Sequence, residues 1–561
     1  MNAMNGNINM NNQKRQDVLA YVLCSVFLLF CEWFFFRNII MTDRLIGNYG
    51  DGRLTMLITE HWFHVFQGKA AAPDLGIFYQ ATNTLAYSDM LLGYGLIHSV
   101  LRSLGTDIFY AYKTTLMLVH LLGTFSTFCL LRRSLRTNFA WALFGTVTFS
   151  FTSTYAIHFA HTQLAMVSFL PLIAIFVLAF FKNLRDRTKR TLYAVLSILA
   201  LALLLYTSWY MAFFTALFTA TAAIITICTM EKQKILSTSK NFFKLLGMDL
   251  IFYFLLAVAL VVPFVLLSLP VLRMSGGWKY GFLSYGPEFI DIINVSVNNW
   301  LLGPLLRTLK LDSRGYSDEL VEGFSIILLI MFASLSYRIY KLNAKQSVRR
   351  YSAYRALVLS IIIGMLLVIR MSANGISLWF LVYYLFPGAK AIRAVARYFF
   401  FLSLPMSLIT AVMGDDVSRL KKRSTWPALI LLALAFIANI HISGVSSVAW
   451  NRGEQKAFLD NVAPPPSDCE VFCIVNPKRY DSHWAIQLDA YQIADHFGIN
   501  TINGYSGNTP KGWDGIWEVG GDKVEYEEAV LKWIAANGLE NVYAYDEGNN
   551  TWTKFNIAVP D

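Results

Sequence analysis

The sequence predicts a polytopic α-helical membrane protein with a small α/β domain at its C-terminal end, and three observations predict it. The 561-residue chain is 56% hydrophobic and 15% charged, whereas soluble chains carry about 25% charged residues. Its apolar runs repeatedly reach the roughly 20 residues that a helix needs to cross a bilayer core. Charge is also segregated: residues 450–561 hold 8 basic and 17 acidic side chains, a net of −9, so the overall +11 leaves +20 for the residues before them. That basic excess lies in short connections between apolar spans, which excludes the gathered basic surface of a nucleic-acid-binding protein. The composition excludes a disordered chain as well.

The spans follow from the basic connections. Arg132, Arg133 and Arg136, and residues 182–190, 232–244, 338–355 and 419–423, are rich in Lys and Arg; the positive-inside rule makes all five cytoplasmic. About eleven spans then alternate without conflict, near residues 17–37, 107–131, 138–156, 163–182, 190–206, 208–229, 245–270, 322–341, 352–371, 396–413 and 425–446. The first lacks a small-residue cleavage site and reads as an uncleaved anchor. An odd count leaves the N-terminus cytoplasmic and the C-terminus extracytoplasmic. The shorter apolar stretches 90–101 and 376–386 read as juxtamembrane or re-entrant helices.

Residues 1–447 therefore read as a membrane module, with a first outer loop at 38–106 and a second at 271–321, and residues 448–561 as an extracytoplasmic α/β domain. In that domain a Pro464-Pro465-Pro466 linker precedes a strand at 470–475, and 525–537 has a helical pattern. Cys469 and Cys473 are four apart on one strand face at about 3.3 Å per residue, too far apart to bridge. Like Cys24, Cys31, Cys129 and Cys228 in the apolar runs, they read as free thiols.

The first outer loop opens with Gly47-Asn48-Tyr49-Gly50-Asp51-Gly52-Arg53. An acid between glycines just beyond a membrane helix suits a general base for an attacking hydroxyl, or else a cap for a helix beginning near Leu54. Asp89, after Ser88, has the same two readings: a second acid of the site, or the cap of the juxtamembrane helix that follows. His61 and His64 stand one turn apart, but no carboxylate follows at a known zinc-ligand spacing. His158 and His161 fall at the outer end of two spans, where polar side chains face a cavity or anchor at the interface. Trp209-Tyr210 and Trp278-Lys279-Tyr280 sit at the same level and resemble an aromatic belt.

The segment from Pro387-Gly388 to Lys390, Arg393 and Arg397 stands at the outer mouth of a span. Four residues apart on a helix, Arg393 and Arg397 share a face, and two guanidinium forks with Lys390 nearby suit a lipid phosphate; the alternative is snorkelling anchors. The run from Thr501 through Asn503, Gly504 and Tyr505 to Pro510 predicts a loop, whose Asn503 and Tyr505 can contact an acceptor or the mouth of the cavity. No Walker sequence, dinucleotide-binding glycine pattern or nucleophile elbow is present.

With these residues in view, the chain resembles bacterial members of the GT-C superfamily, polytopic membrane glycosyltransferases that take a sugar from a polyprenyl-phosphate lipid. The resemblance spans most of the chain. It rests on Gly50-Asp51-Gly52, on Asn83-Thr84-Leu85 with Ser88-Asp89, on His161-Thr162-Gln163 with Pro171, on Gly323-Phe324, on Pro387-Gly388 with Arg393 and Arg397, and on Asn503-Gly504-Tyr505-Ser506-Gly507.

It implies a GT-C-like membrane module, Asp51 as base, inversion at the anomeric carbon, and Arg393 and Arg397 on the lipid phosphate. It implies a hexosyl- or pentosyltransferase of glycan biosynthesis in a bacterial cytoplasmic (inner) membrane. The implied partners are a polyprenyl-phosphate-sugar donor, a glycan, lipid or protein acceptor, and membrane lipids. The chain lacks the Asp-x-Asp pair of metal-dependent members, so no cofactor is expected, a divalent metal being the alternative. It also lacks the Trp-Trp-Asp signature of oligosaccharide transferases. A flippase or transporter for a lipid-linked sugar and a ligase moving a whole lipid-linked polymer are the rival functions. Transporters often show repeated halves, and none is visible here.

Overall fold

The structure, a computed structural model, describes residues 2–229, 232–275, 281–311, 317–345, 349–371, 375–420, 426–445, 449–477, 482–519, 521 and 523–555. The chain begins with α1 (Asn2–Ile40), β1 (Arg44–Leu45) and α2 (Asp51–Phe66), followed by α3 (Leu92–Ser103), α4 (Ile108–Cys129) and α5 (Phe139–Ser150). Among the described residues seven helices are long and apolar enough to cross a membrane: Arg15–Ile40, Ile108–Ser134, Ser153–Lys182, Arg187–Thr207, Trp209–Thr229, Asp249–Ser275 and Arg397–Leu420. Shorter apolar helices, Phe139–Ser150, Ser352–Val368 and Trp426–Ala438, lie among them. All of these, with the further helix Ile326–Lys345, fall on spans expected from the sequence. The protein is a multi-pass membrane protein.

Local chemistry marks where the helices begin. Asp107 opens α4 by accepting from the N–H groups of Phe109 and Tyr110, and Asn138 opens α5 by accepting from that of Trp141, so backbone donors that lack a helical partner are satisfied. The helix expected near 138–156 is shorter than the sequence suggests. α5 ends at Ser150; Thr152 caps a new helix, Ser153–His158, which continues through a 3-10 stretch, Phe159–Phe169, into Leu170–Lys182. His161 alone breaks that run, with φ −112° and ψ 79°. Pro171 sits in the first turn of the last helix, where its missing N–H costs no hydrogen bond. Asp249–Ser275 is apolar all round and hardly packed on its neighbours, as a lipid-facing helix should be. α3 overlaps the stretch 90–101, and the short helix Trp379–Leu385 lies within 376–386.

The C-terminal part begins with β2 (Trp450–Asn451), antiparallel to β1. A four-stranded sheet follows, built from β3 (Val471–Val475), β4 (Asn500–Thr501), β5 (Val542–Asp546) and β6 (Thr551–Lys554) in the order β4-β3-β5-β6. β3 pairs parallel with β4 and β5, while β6 returns antiparallel. The inner strands Val-Phe-Cys-Ile-Val and Val-Tyr-Ala-Tyr-Asp are buried almost throughout, the near-continuous apolar pattern of strands covered on both faces. Helices His483–Phe497 and Lys523–Asn537 make the crossovers. Cys469 and Cys473 are buried and unpaired.

This sheet domain is fastened to the segment between α2 and α3 by backbone hydrogen bonds. Phe78 and Tyr79 donate to the carbonyls of Asn503 and Thr501, and Thr501 donates back to Gly76. The Trp533 indole donates to the Tyr79 carbonyl at 2.6 Å. Gly504 is needed here because a Cβ on it would lie 2.4 Å from the Phe78 ring.

Candidate active site

α2 begins at Asp51, not near Leu54, and the capping role is filled elsewhere. Its N-cap residue, Gly50, has no side chain to offer, and Asn48 Oδ1 takes the Asp51 N–H at 2.6 Å. The Asp51 carboxylate is thereby left to face outward from the first turn, where the helix dipole favours a negative charge. Its Oδ2 meets His161 Nδ1 at 2.6 Å, and its Oδ1 accepts from the Tyr505 hydroxyl at 3.2 Å. The break in the helix at His161 aims that ring at α2. Burial works against ionisation of Asp51, but the hydrogen bond and charge of His161, the charge of Arg397 and the Tyr505 hydroxyl outweigh it, holding the carboxyl below the ordinary aspartate range. The side chain stays 28% exposed.

The other nitrogen of His161 leads to a second acid. His161 Nε2 lies 3.6 Å from Glu319 Oε1. Glu319 accepts a fork from Arg397, Nε on Oε2 and Nη2 on Oε1, each at 2.9 Å, while Arg393 Nη2 reaches the same Oε1 at 3.1 Å. Burial alone would raise the Glu319 pKa; Arg397, His161 and Arg393 together bring it down to about 2. The Arg397 guanidinium lies over the Tyr210 ring at 4.8 Å and that of Arg393 over Tyr285 at 4.7 Å. The Tyr210 hydroxyl accepts from the N–H groups of Arg393 and Ala394 at 3.1 and 3.2 Å, which fixes the segment before the helix.

Several expected placements are corrected. Arg393 and Arg397 do not share a helix face, because the helix starts at Arg397 and Arg393 lies in the extended approach to it; their guanidinium groups meet on Glu319. Lys390 is exposed, its ammonium 5.9 Å from the centre of the Tyr383 ring rather than at Glu319. Asp89 does not open α3, whose N-cap residue is Leu91. It reaches across to helix Trp209–Thr229 and accepts the Trp209 N–H at 2.7 Å, while burial lifts its carboxyl to about 6. His158 is buried rather than facing a cavity, its Nε2 2.6 Å from Oε2 of the buried Glu322.

Asn503 is wholly buried inside the C-terminal sheet domain, its Oδ1 taking the Ile474 N–H and its amide donating to Gln487 and Tyr526. It is a strut of that domain, and Tyr505 two residues on is the one that reaches Asp51. Tyr210 serves Arg393, and Trp209 stacks on Phe264 and packs against Gly388, where a Cβ would lie 2.4 Å from the indole. Residues 278–280 lie outside the described residues. His61 and His64 hold no common ligand position, since one faces the Ala72 carbonyl and the other Asp495.

Sequence reasoning missed Glu319 and Glu322. The signal was there: two acids three apart just before Gly323-Phe324, in an apolar chain where buried acids need partners. Asp51, His161 and Glu319 also form the donor set a divalent ion would need. They do not converge, because the imidazole stands between the carboxylates with one nitrogen toward each. Among the described residues no group of three or more His, Cys, Asp or Glu is placed to hold a metal ion.

No family model matches the chain, and no curated protein matches it. Solved structures do. The apo oligosaccharyltransferase of Archaeoglobus fulgidus superposes with a TM-score of 0.51 at 11% identity, over 94% of this chain and 69% of that one. ArnT from Cupriavidus metallidurans gives 0.49 at 12% identity in the apo state, over 94% and 93%, and 0.46 at 11% bound to undecaprenyl phosphate, over 86% and 85%. The chain has the polytopic helical fold of that oligosaccharyltransferase, with a small C-terminal sheet domain.

Proposed function

We propose that the protein transfers a sugar from a polyprenyl-phosphate-linked donor to an acceptor hydroxyl on the extracytoplasmic side of a bacterial cytoplasmic membrane, with inversion. The observation that carries this reading is the continuous line from Asp51 through His161 and Glu319 to Arg393 and Arg397, assembled from four separate parts of a GT-C fold. A carboxylate base at one end of this line and guanidinium forks at the other are what glycosyl transfer from a lipid phosphate calls for.

In the proposed step the acceptor oxygen attacks the anomeric carbon from the face opposite the phosphate, and its proton passes to Asp51. The bond from that carbon to the phosphate oxygen breaks, and polyprenyl phosphate leaves with the electron pair. Asp51 arrives ionised because its carboxyl is held low; His161 steadies Oδ2, leaving Oδ1, shared with the Tyr505 hydroxyl, for the acceptor. Arg393 and Arg397 stabilise the leaving phosphate, an effect worth most where water is largely excluded, and the Arg397 side chain is only 4% exposed. Tyr505 makes the outer domain part of the site, so residues 448–561 help to frame the acceptor as well as cover the membrane module. The basic connections at 132–136, 182–190 and 419–423 support the orientation, with the N-terminus cytoplasmic and the sheet domain outside.

The test is release of free polyprenyl phosphate from a panel of synthetic polyprenyl-phosphate sugars, with a cell-envelope extract as acceptor source. Release by the wild type, lowered about 100-fold or more in Asp51→Asn, is the expected outcome, and it names the sugar. Donor binding without release of any product would point to a flippase or a diphosphate-using ligase instead.

A further inference from the structure

We infer that Glu319 is a resident anion: its carboxylate holds the place of the donor phosphate, so donor binding at Arg393 and Arg397 is an exchange of one anion for another. The inference rests on the reading of those arginines as the phosphate site and adds what selects the ligand there.

The geometry of the contact comes first. Arg397 gives Glu319 two parallel hydrogen bonds of 2.9 Å, and Arg393 adds one of 3.1 Å to the shared oxygen. This is the fork a guanidinium offers equally to a phosphate. Burial supplies the reason for a stand-in. The side chains of Arg397 and Glu319 are only 4% and 10% exposed, and a buried guanidinium with no counter-anion is costly. An empty site therefore needs its own anion, and Glu319 is placed to be it.

The position of His161 gives the exchange a second consequence. Its Nε2 faces the same Glu319 oxygen at 3.6 Å while Nδ1 holds Asp51. A phosphate taking the place of that carboxylate keeps a negative charge opposite the imidazole, so the surroundings of Asp51 change little when the donor arrives. Selectivity follows as well. A small anion such as inorganic phosphate must break three guanidinium–carboxylate hydrogen bonds and brings nothing beyond its own, whereas an isoprenyl phosphate adds burial of its tail.

The test uses the full chain in detergent, with inorganic phosphate and a short isoprenyl phosphate as probes and binding read by calorimetry. The wild type should bind the isoprenyl phosphate and leave inorganic phosphate unbound at millimolar concentration. Glu319→Gln should bind the isoprenyl phosphate about tenfold more tightly or better, and should now take up inorganic phosphate. Glu319→Asp, which keeps the charge on a shorter arm, should fall between them and carries the test if the Gln variant fails to fold. Unchanged or weaker binding in these variants, with Arg397→Ala still abolishing it, overturns the inference and leaves the phosphate site standing. Undiminished binding by Arg397→Ala, or no binding by any of the proteins, overturns both.

Discussion

Asp51 and Arg53 stand two residues apart on α2, about 200° around the helix from each other, and the two faces handle charge in opposite ways. Arg53 and Asp489 are both completely buried and bonded to each other; Arg53 also donates to Gln492 Oε1 at 2.9 and 3.2 Å and lies over the Tyr49 ring at 4.7 Å. The acceptors Asp489 and Gln492 sit on one helix, His483–Phe497, so this face joins the C-terminal sheet domain to α2. Asp51 has partners on separate elements and a side chain still 28% exposed. A charge whose acceptors all lie on one rigid neighbour and which sees no water is a fastening. A charge shared between separate elements and still reached by solvent is available for chemistry.

The sharpest way to break this contrast is Asp51→Asn, which should lower transfer by about 10²- to 10⁴-fold, the usual contribution of a general base, and leave thermal unfolding unchanged. A fully active variant would remove Asp51 from the chemistry. Arg53→Ala should do the reverse on the opposite face, costing about 3 to 5 kcal/mol of stability by leaving Asp489 buried without its cation. Thermal unfolding of the detergent-solubilised protein checks this, and the paired change Arg53→Met with Asp489→Leu should restore most of the loss. His161→Ala is smaller: losing one charge-assisted hydrogen bond to Asp51 should cost about 10- to 100-fold in kcat with little effect on unfolding.

The pH profile then sharpens the assignment. The Asp51 carboxyl is held below the ordinary range near 4. Its proton-accepting form is therefore present at neutral pH and lost only as the pH falls through that lowered value. kcat/KM should stay flat from pH 7 to about 4.5 as far as the base is concerned. An acid limb near pH 6 would instead match the lifted carboxyl of Asp89 and make it the better candidate. The smallest effect belongs to Tyr505→Phe, which removes a half-exposed 3.2 Å hydrogen bond and should change kcat by a few-fold.

How much of this was legible in advance depended on the range of the interaction. Asp51 stood out because an acid between glycines next to a membrane helix is unusual in so apolar a chain, and the segment around Arg393 stood out for the same reason. Asp89 was half legible: its role as a cap could be read, but not that the helix it caps begins 120 residues later at Trp209. Asn503 and Tyr505 were indistinguishable in a polar loop, and only packing on Gln487 and Tyr526 separates a buried amide from a hydroxyl that reaches Asp51. Glu319 was passed over because nothing near it in the chain hints at its partners, which lie 74 and 78 residues away.

The sequence by itself determined the membrane class, the places of most of the long apolar helices, the acidic character of the C-terminal part and the two charged segments, since each follows from hydrophobicity and charge summed over neighbouring residues. Tertiary structure decided which acid meets which cation, that a histidine bridges them, and that the C-terminal sheet domain adds a hydroxyl to the site. Those outcomes depend on hydrogen bonds a few ångströms long between residues far apart in the chain, and no local pattern encodes a distance of that kind.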